Sequence, residues 1–429
     1  MGIDTTTYVA LSVAMFLEFA IWGAWAPVLA ARLLGPLKMT GKQTGWIYAT
    51  LPVACIVAPL VSGWVADQWV SAKWILVAAH LIGAVLLFIA AKQEQFKPLL
   101  IVMFLYSLCY AATLPLVNAV LFAGTADIQD AGVKLATQGK VFIWAPIAWA
   151  LVGWSLTGWR MTREKQGNGE DCLYFAAALS LAMAAGCLLL NAYPPEGKGL
   201  PILKALAMLG NFNFLIFIVV SIVVSGLMQF YFLGTAQFMQ DSGISSKHVP
   251  ASMGIAQIVQ ALATFFLLGI FLSDLGYKWT LVIGAGCWFL MYALYVVGKP
   301  KGLIIAVQPL HGLAYVFFMI VGQIFAEDVG GAEIRSSMQA LIFVATTGIG
   351  LFLGTQFAGI VMDKYTVKGK FQWSKIWAVP CIITLVGALV LAALFNNPPA
   401  KKDKGAEATP DTAKATAMLS SPCSGPVLR

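Results

Sequence analysis

Long apolar runs alternate with short polar connections along nearly the whole chain, and this alternation predicts membrane-spanning helices. Six runs fall near residues 8–33, 45–66, 74–91, 98–123, 141–159 and 172–193. Six more fall near 212–239, 250–273, 278–297, 302–326, 338–361 and 375–396. About 20 apolar residues in a helix cross the roughly 30 Å of bilayer hydrocarbon, and a helix closes its backbone hydrogen bonds internally. The fold class expected is therefore an all-α integral membrane protein with twelve transmembrane helices. The first run lacks a basic leader and is too long for the apolar core of a signal peptide, so it is read as the first span. From Asn397 onward the chain is rich in Pro, Ala, Lys and Thr without apolar period, which predicts a disordered tail over 397–429.

The two halves echo each other. GWVADQWVSAKW follows the second run and GIFLSDLGYKWT follows the eighth, placing Asp67 and Asp274 207 positions apart. Gly153 and Gly158 echo Gly354 and Gly359, 201 positions apart. The similar offsets predict two pseudo-symmetric six-helix bundles, 1–193 and 212–396, joined by a central connection at 194–211. Parallel repeats of this kind place a substrate site at the bilayer midplane between the halves.

Composition sharpens this reading. Of 429 residues 60% are hydrophobic and 11% are charged, with mean hydropathy +0.82, against roughly 25% charged in soluble domains. The net charge of +8 is scattered through connections and tail rather than gathered on one face, so a nucleic-acid partner is not expected. With cytoplasmic termini the inside connections and tail hold 12 Lys and Arg against 15 outside, so the positive-inside count opposes that orientation. Cys55, Cys109, Cys187, Cys287 and Cys381 lie within apolar runs, Cys172 starts one and Cys423 is in the tail. These spacings predict neither a disulfide framework nor a metal site, and no cofactor is expected. There is no serine elbow and no phosphate loop, so an integral-membrane enzyme is disfavoured.

A few polar residues interrupt the apolar runs. Glu18 is the only acidic residue well inside a span. A charge at such depth costs about 2.5 to 3.5 kcal/mol by insertion scales, so Glu18 is the leading proton-coupling candidate, with a packing role as the alternative. Gln257 and Gln260 share one helix face. Each amide both donates and accepts, which suits a nucleobase edge or sugar hydroxyls, or else glues helices together at about 0.6 to 2 kcal/mol per bond. His311 and Tyr315 share a face in the tenth run, and that imidazole can take a proton, bond a substrate or bond a neighbouring helix. For His80 the structural role is favoured. Pro52, Pro59, Pro115, Pro146 and Pro380 predict kinks. Gly350 and Gly354 predict close helix approach, and Trp46, Trp69 and Trp74 fit interfacial anchors.

GWVADQWVSAKW, with Gly63, Asp67 and Lys73, resembles the loop signature of the major facilitator superfamily. FLEFAIWGAWAPVLAARL, SAKWILVAAHLIGAVLLFIAA, MQFYFLGTAQF and HGLAYVFFMIVGQIFAEDVGGAEIRSSMQALI are similar to the bacterial nucleoside:proton symporter family over most of residues 10–395. The resemblance implies two six-helix bundles, cytoplasmic termini in a bacterial inner membrane, and a central nucleoside cavity with proton coupling. It implies substrate contacts at Gln229, Phe232, Gln257, Gln260, His311 and Tyr315, with Asn118, Phe142, Trp144 and Trp149 as further polar or stacking groups. His311 joins Glu18 as a coupling candidate. Asp67 with Lys73 and Asp274 with Lys278 are expected to form charge pairs that gate the cycle. Three family charges are absent, since Gln260, Val316 and Phe142 stand where two acids and one base are expected, and Pro146 replaces a small polar residue. The expectation is a monomeric permease for nucleosides, with protons and the lipid bilayer as its other partners. The alternatives are a facilitator of another small polar solute without proton coupling, or a transport-inactive membrane sensor.

Overall fold

The computed structural model describes residues 3–163, 167–193 and 206–397, with the side chains of 60, 64, 67–68, 131–132, 134–136, 327, 330–337 and 339–340 outside that description. The tail beyond Asn397 and most of the central connection therefore lie outside the described residues. In the first half the helices are α1 (Thr5–Trp25), α2 (Leu29–Leu34), α3 (Gly41–Gln68), α4 (Ala72–Ala91), α5 (Phe96–Gly124), α6 (Ala131–Phe142), α7 (Trp144–Met161) and α8 (Asp171–Cys187). In the second they are α9 (Phe212–Asp241), α10 (Val249–Phe266), α11 (Leu268–Val297), α12 (Lys301–Ala306), α13 (Gln308–Ala314), α14 (Val321–Phe343), α15 (Leu351–Lys364) and α16 (Trp373–Leu394). A two-residue hairpin, β1 (Thr366–Val367) with β2 (Lys370–Phe371), joins α15 to α16.

Among the described residues, eleven segments are long and apolar enough to span a membrane, and the 17-residue α8 is a twelfth, shorter apolar helix. Seventeen residues is about the lower limit for crossing the hydrocarbon. The expected fold, twelve helices in two pseudo-symmetric bundles, is the one observed. Two span boundaries have clear local causes. Gly276, at φ 67° and ψ −175°, breaks α11 where the eighth and ninth spans meet, in a conformation that costs glycine little. Thr40 and Gln43 form a capping box at the start of α3, each side chain accepting the other's backbone N–H at 2.9 and 3.1 Å. One connection differs from expectation, because α14 runs as helix through the polar stretch between the tenth and eleventh spans.

Within the first half α4 packs on α5 and α8, and α3 on α5; within the second α11 packs on α16, and α9 on α15. Gly354 of α15 meets Gly226 of α9 so closely that an added Cβ would lie 2.0 Å from the Gly226 carbonyl oxygen, as the small-residue spacing predicted. The halves meet along two related seams, α3 with α15 and α7 with α10. A Cβ on Gly41 would sit 2.6 Å from the Gly359 carbonyl oxygen, and one on Gly153 would sit 2.8 Å from that of Pro250. Gly153 and Gly359, 206 positions apart, are thus the equivalent seam glycines, which corrects the 201-position pairing and comes within one position of the 207 that separates the two aspartates.

Polar contacts clasp both seams at the face away from the chain's ends. Asp363 accepts from the backbone N–H groups of Gly41 and Lys42, the latter at 2.9 Å, at the N-terminus of α3. In the other seam the Ala251 N–H donates to Thr157 Oγ1 at 3.0 Å, and Arg160 donates to the Ser246 carbonyl at 3.2 Å. Large apolar side chains such as Ile101, Phe265 and Leu389 remain exposed on the perimeter, as a lipid-facing surface requires. Trp46, Trp69 and Trp74 are exposed near helix ends.

Candidate functional site

Between the halves lies a cavity of about 910 Å³ of non-protein space when the part open to solvent is counted. Its wall is assembled from both halves: Trp22 and Trp25 of α1, Tyr48 of α3, Trp149 of α7, Gln229 and Phe232 of α9, Gln257 and Gln260 of α10, His311 of α13, and Tyr315 just beyond it. Helical spacing explains the pairs. Gln229 with Phe232, Gln257 with Gln260, and His311 with Tyr315 each stand one turn apart and share a face. Two π-helical segments, Tyr315–Ile320 and Val344–Gly350, widen the tenth and eleventh spans here and contribute Tyr315, Met319 and Thr347 to the wall. Such bulges recur at functional sites because the extra residue re-aims its neighbours.

The electrostatics of the wall are simple. Among the described residues no Asp, Glu, Lys or Arg lines it. The side-chain amides of Gln229, Gln257 and Gln260 form no hydrogen bond within the protein among the described residues, so their donors and acceptors are open to a ligand. His311 is held firmly: its ring stacks on Tyr231 at 3.9 Å with planes 13° apart, and the Trp288 indole N–H donates to its Nδ1 at 3.1 Å. With Nδ1 accepting, the proton of the neutral ring sits on Nε2. Tyr231 is fixed in turn by donating to Gln308 Oε1 at 2.8 Å, while Gln308 donates to the Ile304 carbonyl at 2.8 Å. Trp149 provides an aromatic surface, its ring 5.6 Å from Trp22 and 6.1 Å from Phe232. Behind Trp149, Phe232 and Gln257 a smaller crevice runs into the α7–α10 seam.

The structure brings together seven of the residues expected at the site: Trp149, Gln229, Phe232, Gln257, Gln260, His311 and Tyr315. It places the other three off this wall. Phe142 ends α6, 36% exposed, with its ring against Phe122. Trp144 lies beyond the helix break at Ile143 with its ring against Phe16, and Asn118 keeps its Oδ1 buried without a partner. Val316 is fully buried with Ala263 and Phe317, turned away from the cavity. Glu18 is also off the wall, fully buried inside the first half, where its Oε2 lies 2.9 Å from His80 Nε2.

Of the two expected loop pairs, Asp274 and Lys278 make other contacts, and the Asp67–Lys73 pair lies partly outside the described residues. Lys73 donates to the Leu188 carbonyl at 2.9 Å, and the Asp67 side chain lies outside the described residues. Asp274 accepts from Ser273 Oγ at 2.9 Å, and Lys278 sits 5.9 Å from the Trp279 ring centre. Sequence reasoning missed Trp22, Trp25 and Tyr48 on the wall and the Trp288–His311–Tyr231–Gln308 support behind it. Trp22 had a signal, since it stands one turn after Glu18 in FLEFAIW. The support chain had none, because its members come from three separate spans.

The family model described as "Nucleoside H+ symporter" matches residues 5–400. The chain is 29% identical over 408 residues to the nucleoside permease NupG of Escherichia coli (strain K12), covering 90% of this chain and 95% of the relative. It is 25% identical over 405 residues to the xanthosine permease of the same organism, covering 90% and 94%. The crystal structure of the nucleoside transporter NupG superposes with a TM-score of 0.80 at 28% identity, over 92% of this chain and all of that one. A D-xylose-proton symporter shares the fold with a TM-score of 0.73 at 13% identity, over 91% and 97%. Taken with the twelve helices and the two-sided cavity, these findings show that the chain belongs to the nucleoside H+ symporter family of major facilitator transporters.

Proposed function

We propose that this protein moves nucleosides across a bacterial inner membrane by alternating access, in symport with protons. It acts as a monomeric permease with cytoplasmic termini and no enzymatic step. The observation that carries this reading is the wall itself: three unbonded glutamine amides and a fixed imidazole N–H among aromatic rings, with no charged group among the described residues. A nucleoside matches that set. Its base has a π-face for Trp149 or Phe232, and its edge and ribose hydroxyls supply donors and acceptors for Gln229, Gln257 and Gln260. His311, with its proton on Nε2, donates and so favours a carbonyl or ring-nitrogen acceptor. Tyr315 adds a hydroxyl of either sense.

Alternating access then needs the seams to open in turn. In this state the α3–α15 and α7–α10 clasps close one face. The Asp67–Lys73 and Asp274–Lys278 loops are proposed to latch the opposite face in the other state. Gln260 retains the reach and hydrogen bonding of a glutamate without its titratable proton, so α10 recognises solute and the coupling proton binds elsewhere. One observation favours a second reading, a facilitator without coupling: among the described residues no carboxylate reaches the cavity. Uptake of radiolabelled uridine and adenosine into proteoliposomes, with and without a pH gradient, separates the two. Accumulation above the medium concentration that requires the gradient supports symport, and gradient-independent equilibration supports the facilitator.

A further inference from the structure

The polar network behind α1 is not explained by solute recognition. Glu18 Oε1 lies 2.6 Å from Thr113 Oγ1 of α5, and its Oε2 lies 2.9 Å from His80 Nε2 of α4. Thr113 Oγ1 is also 2.7 Å from the Tyr110 carbonyl, and Ser180 Oγ of α8 lies 2.9 Å from the His80 carbonyl and 3.4 Å from His80 Nδ1. Thr113 therefore has one proton and two acceptors, and Ser180 likewise.

Counting protons gives two complete patterns. With Glu18 ionised, Thr113 and His80 Nε2–H both donate to the carboxylate. With Glu18 protonated, its O–H donates to Thr113, which turns its own proton to the Tyr110 carbonyl, and His80 Nε2–H still donates to Oε2. Ser180 adjusts to either form of His80 Nδ1 in the same way. Passing between patterns needs only hydroxyl rotations, and neither leaves a buried polar atom without a partner. Among the described side chains the charge on this side is Lys73 at the start of α4, which acts on Cys187 and donates to the Leu188 carbonyl at 2.9 Å. The titratable neighbours are Tyr106 and Tyr110 of α5 and Cys187 of α8, with Cys55 of α3 beyond Tyr110. Arg160 of α7 and Asp171 of α8 pair with each other at 2.6 Å, and Lys140 of α6 is exposed.

From this geometry we infer that Glu18 and His80 form the proton-binding site of the transporter, with Thr113 and Ser180 as switchable hydroxyls. The inference deepens the symport reading and rests on it. In the loaded state a proton from water on one face sits on the Glu18 carboxyl. In the unloaded state the O–H bond has broken, the electron pair remains on the carboxylate, and the proton has left to water on the other face. Glu18 and His80 are 0% and 2% exposed, so the site is occluded in this state. The link to the cavity is short. The Tyr110 hydroxyl donates to the Glu18 backbone carbonyl at 2.7 Å, and Tyr110 packs 6.3 Å from Trp22, which lines the cavity and touches Trp149. Intramembrane acid–histidine pairs commonly serve as proton relays.

The test uses the full-length protein in proteoliposomes. By linkage, wild-type uridine affinity falls about tenfold per pH unit above the site's titration range, and an acid-outside gradient drives accumulation. Glu18→Gln, which resembles the loaded state, makes affinity independent of pH and abolishes accumulation above the medium concentration. Retention of the wild-type slope and accumulation by that variant overturns the inference. Infrared difference spectra between acidic and alkaline pH read the site without any nucleoside. The expected carboxylic C=O band disappears in Glu18→Gln and shifts in Thr113→Val, and a band unchanged in both overturns the inference. Should wild type neither bind nor move uridine, the nucleoside reading fails alone and the infrared bands still decide the proton site.

Discussion

Gly312 offers a direct way to disturb the cavity without touching a polar group. It follows His311 on α13, and a Cβ built there would lie 2.2 Å from the Ala256 carbonyl oxygen and 2.8 Å from the Gln260 nitrogen, both backbone atoms of α10. Backbone cannot rotate away as a side chain can, so Gly312→Ala forces α10 and α13 apart by about 1 Å, an overpacking strain of about 1–3 kcal/mol. That separation carries His311 away from Gln257 and Gln260. Losing two neutral hydrogen bonds to the solute, at about 0.5–1.5 kcal/mol each, weakens uridine binding about 5- to 150-fold. Gly286 is a matched control, since a Cβ there meets nothing within 4 Å. Calorimetric titration of uridine into wild type, Gly312→Ala and Gly286→Ala reads the effect. Wild-type affinity in Gly312→Ala would falsify the claim that these two helices jointly hold the solute.

Asp363→Asn removes the charge that caps the N-terminus of α3 across the seam; at about 0.3–2 kcal/mol for a carboxylate at a helix N-terminus, the population of the opposite state rises about 2- to 30-fold. Spin labels at Lys42 and Val367, in a background lacking native cysteines, report a longer separation in that variant, and an unchanged distance distribution contradicts a clasping role. Trp149→Ala removes the aromatic surface between the halves, and with base stacking at about 1–3 kcal/mol it weakens nucleoside binding about 5- to 150-fold. The loss is larger for adenosine than for uridine, and equal affinity for ribose and nucleoside in wild type contradicts the stacking role.

The fold was legible because a membrane leaves few options: apolar runs of spanning length must be helices, and repeated glycine and aspartate positions announce two related halves. The site was partly legible. Gln257 and Gln260 stood out as amides in an apolar run, and His311 with Tyr315 as a helical pair. Phe142 and Trp144 were misplaced because the helix is interrupted at Ile143, where Pro146 has no N–H to offer the Phe142 carbonyl; the kink was predicted, but not which side chains it turns off the wall. The glycine register was misread by five positions until the seam contacts fixed it, because local spacing cannot tell which glycine faces the other half. His80 seemed a packing histidine because its partner, Glu18, lies 62 residues earlier, and only the fold brings them to 2.9 Å.

The central claim is that the uncharged cavity takes nucleosides and that protons drive them through. Uptake of radiolabelled uridine into proteoliposomes, with an acid-outside gradient and with uridine monophosphate as competitor, tests it most directly. Gradient-dependent accumulation is expected that unlabelled adenosine inhibits and the monophosphate does not, because among the described residues no cation lines the cavity to offset a phosphate. Uptake no faster than in protein-free liposomes, or inhibition by the monophosphate as strong as by adenosine, contradicts it.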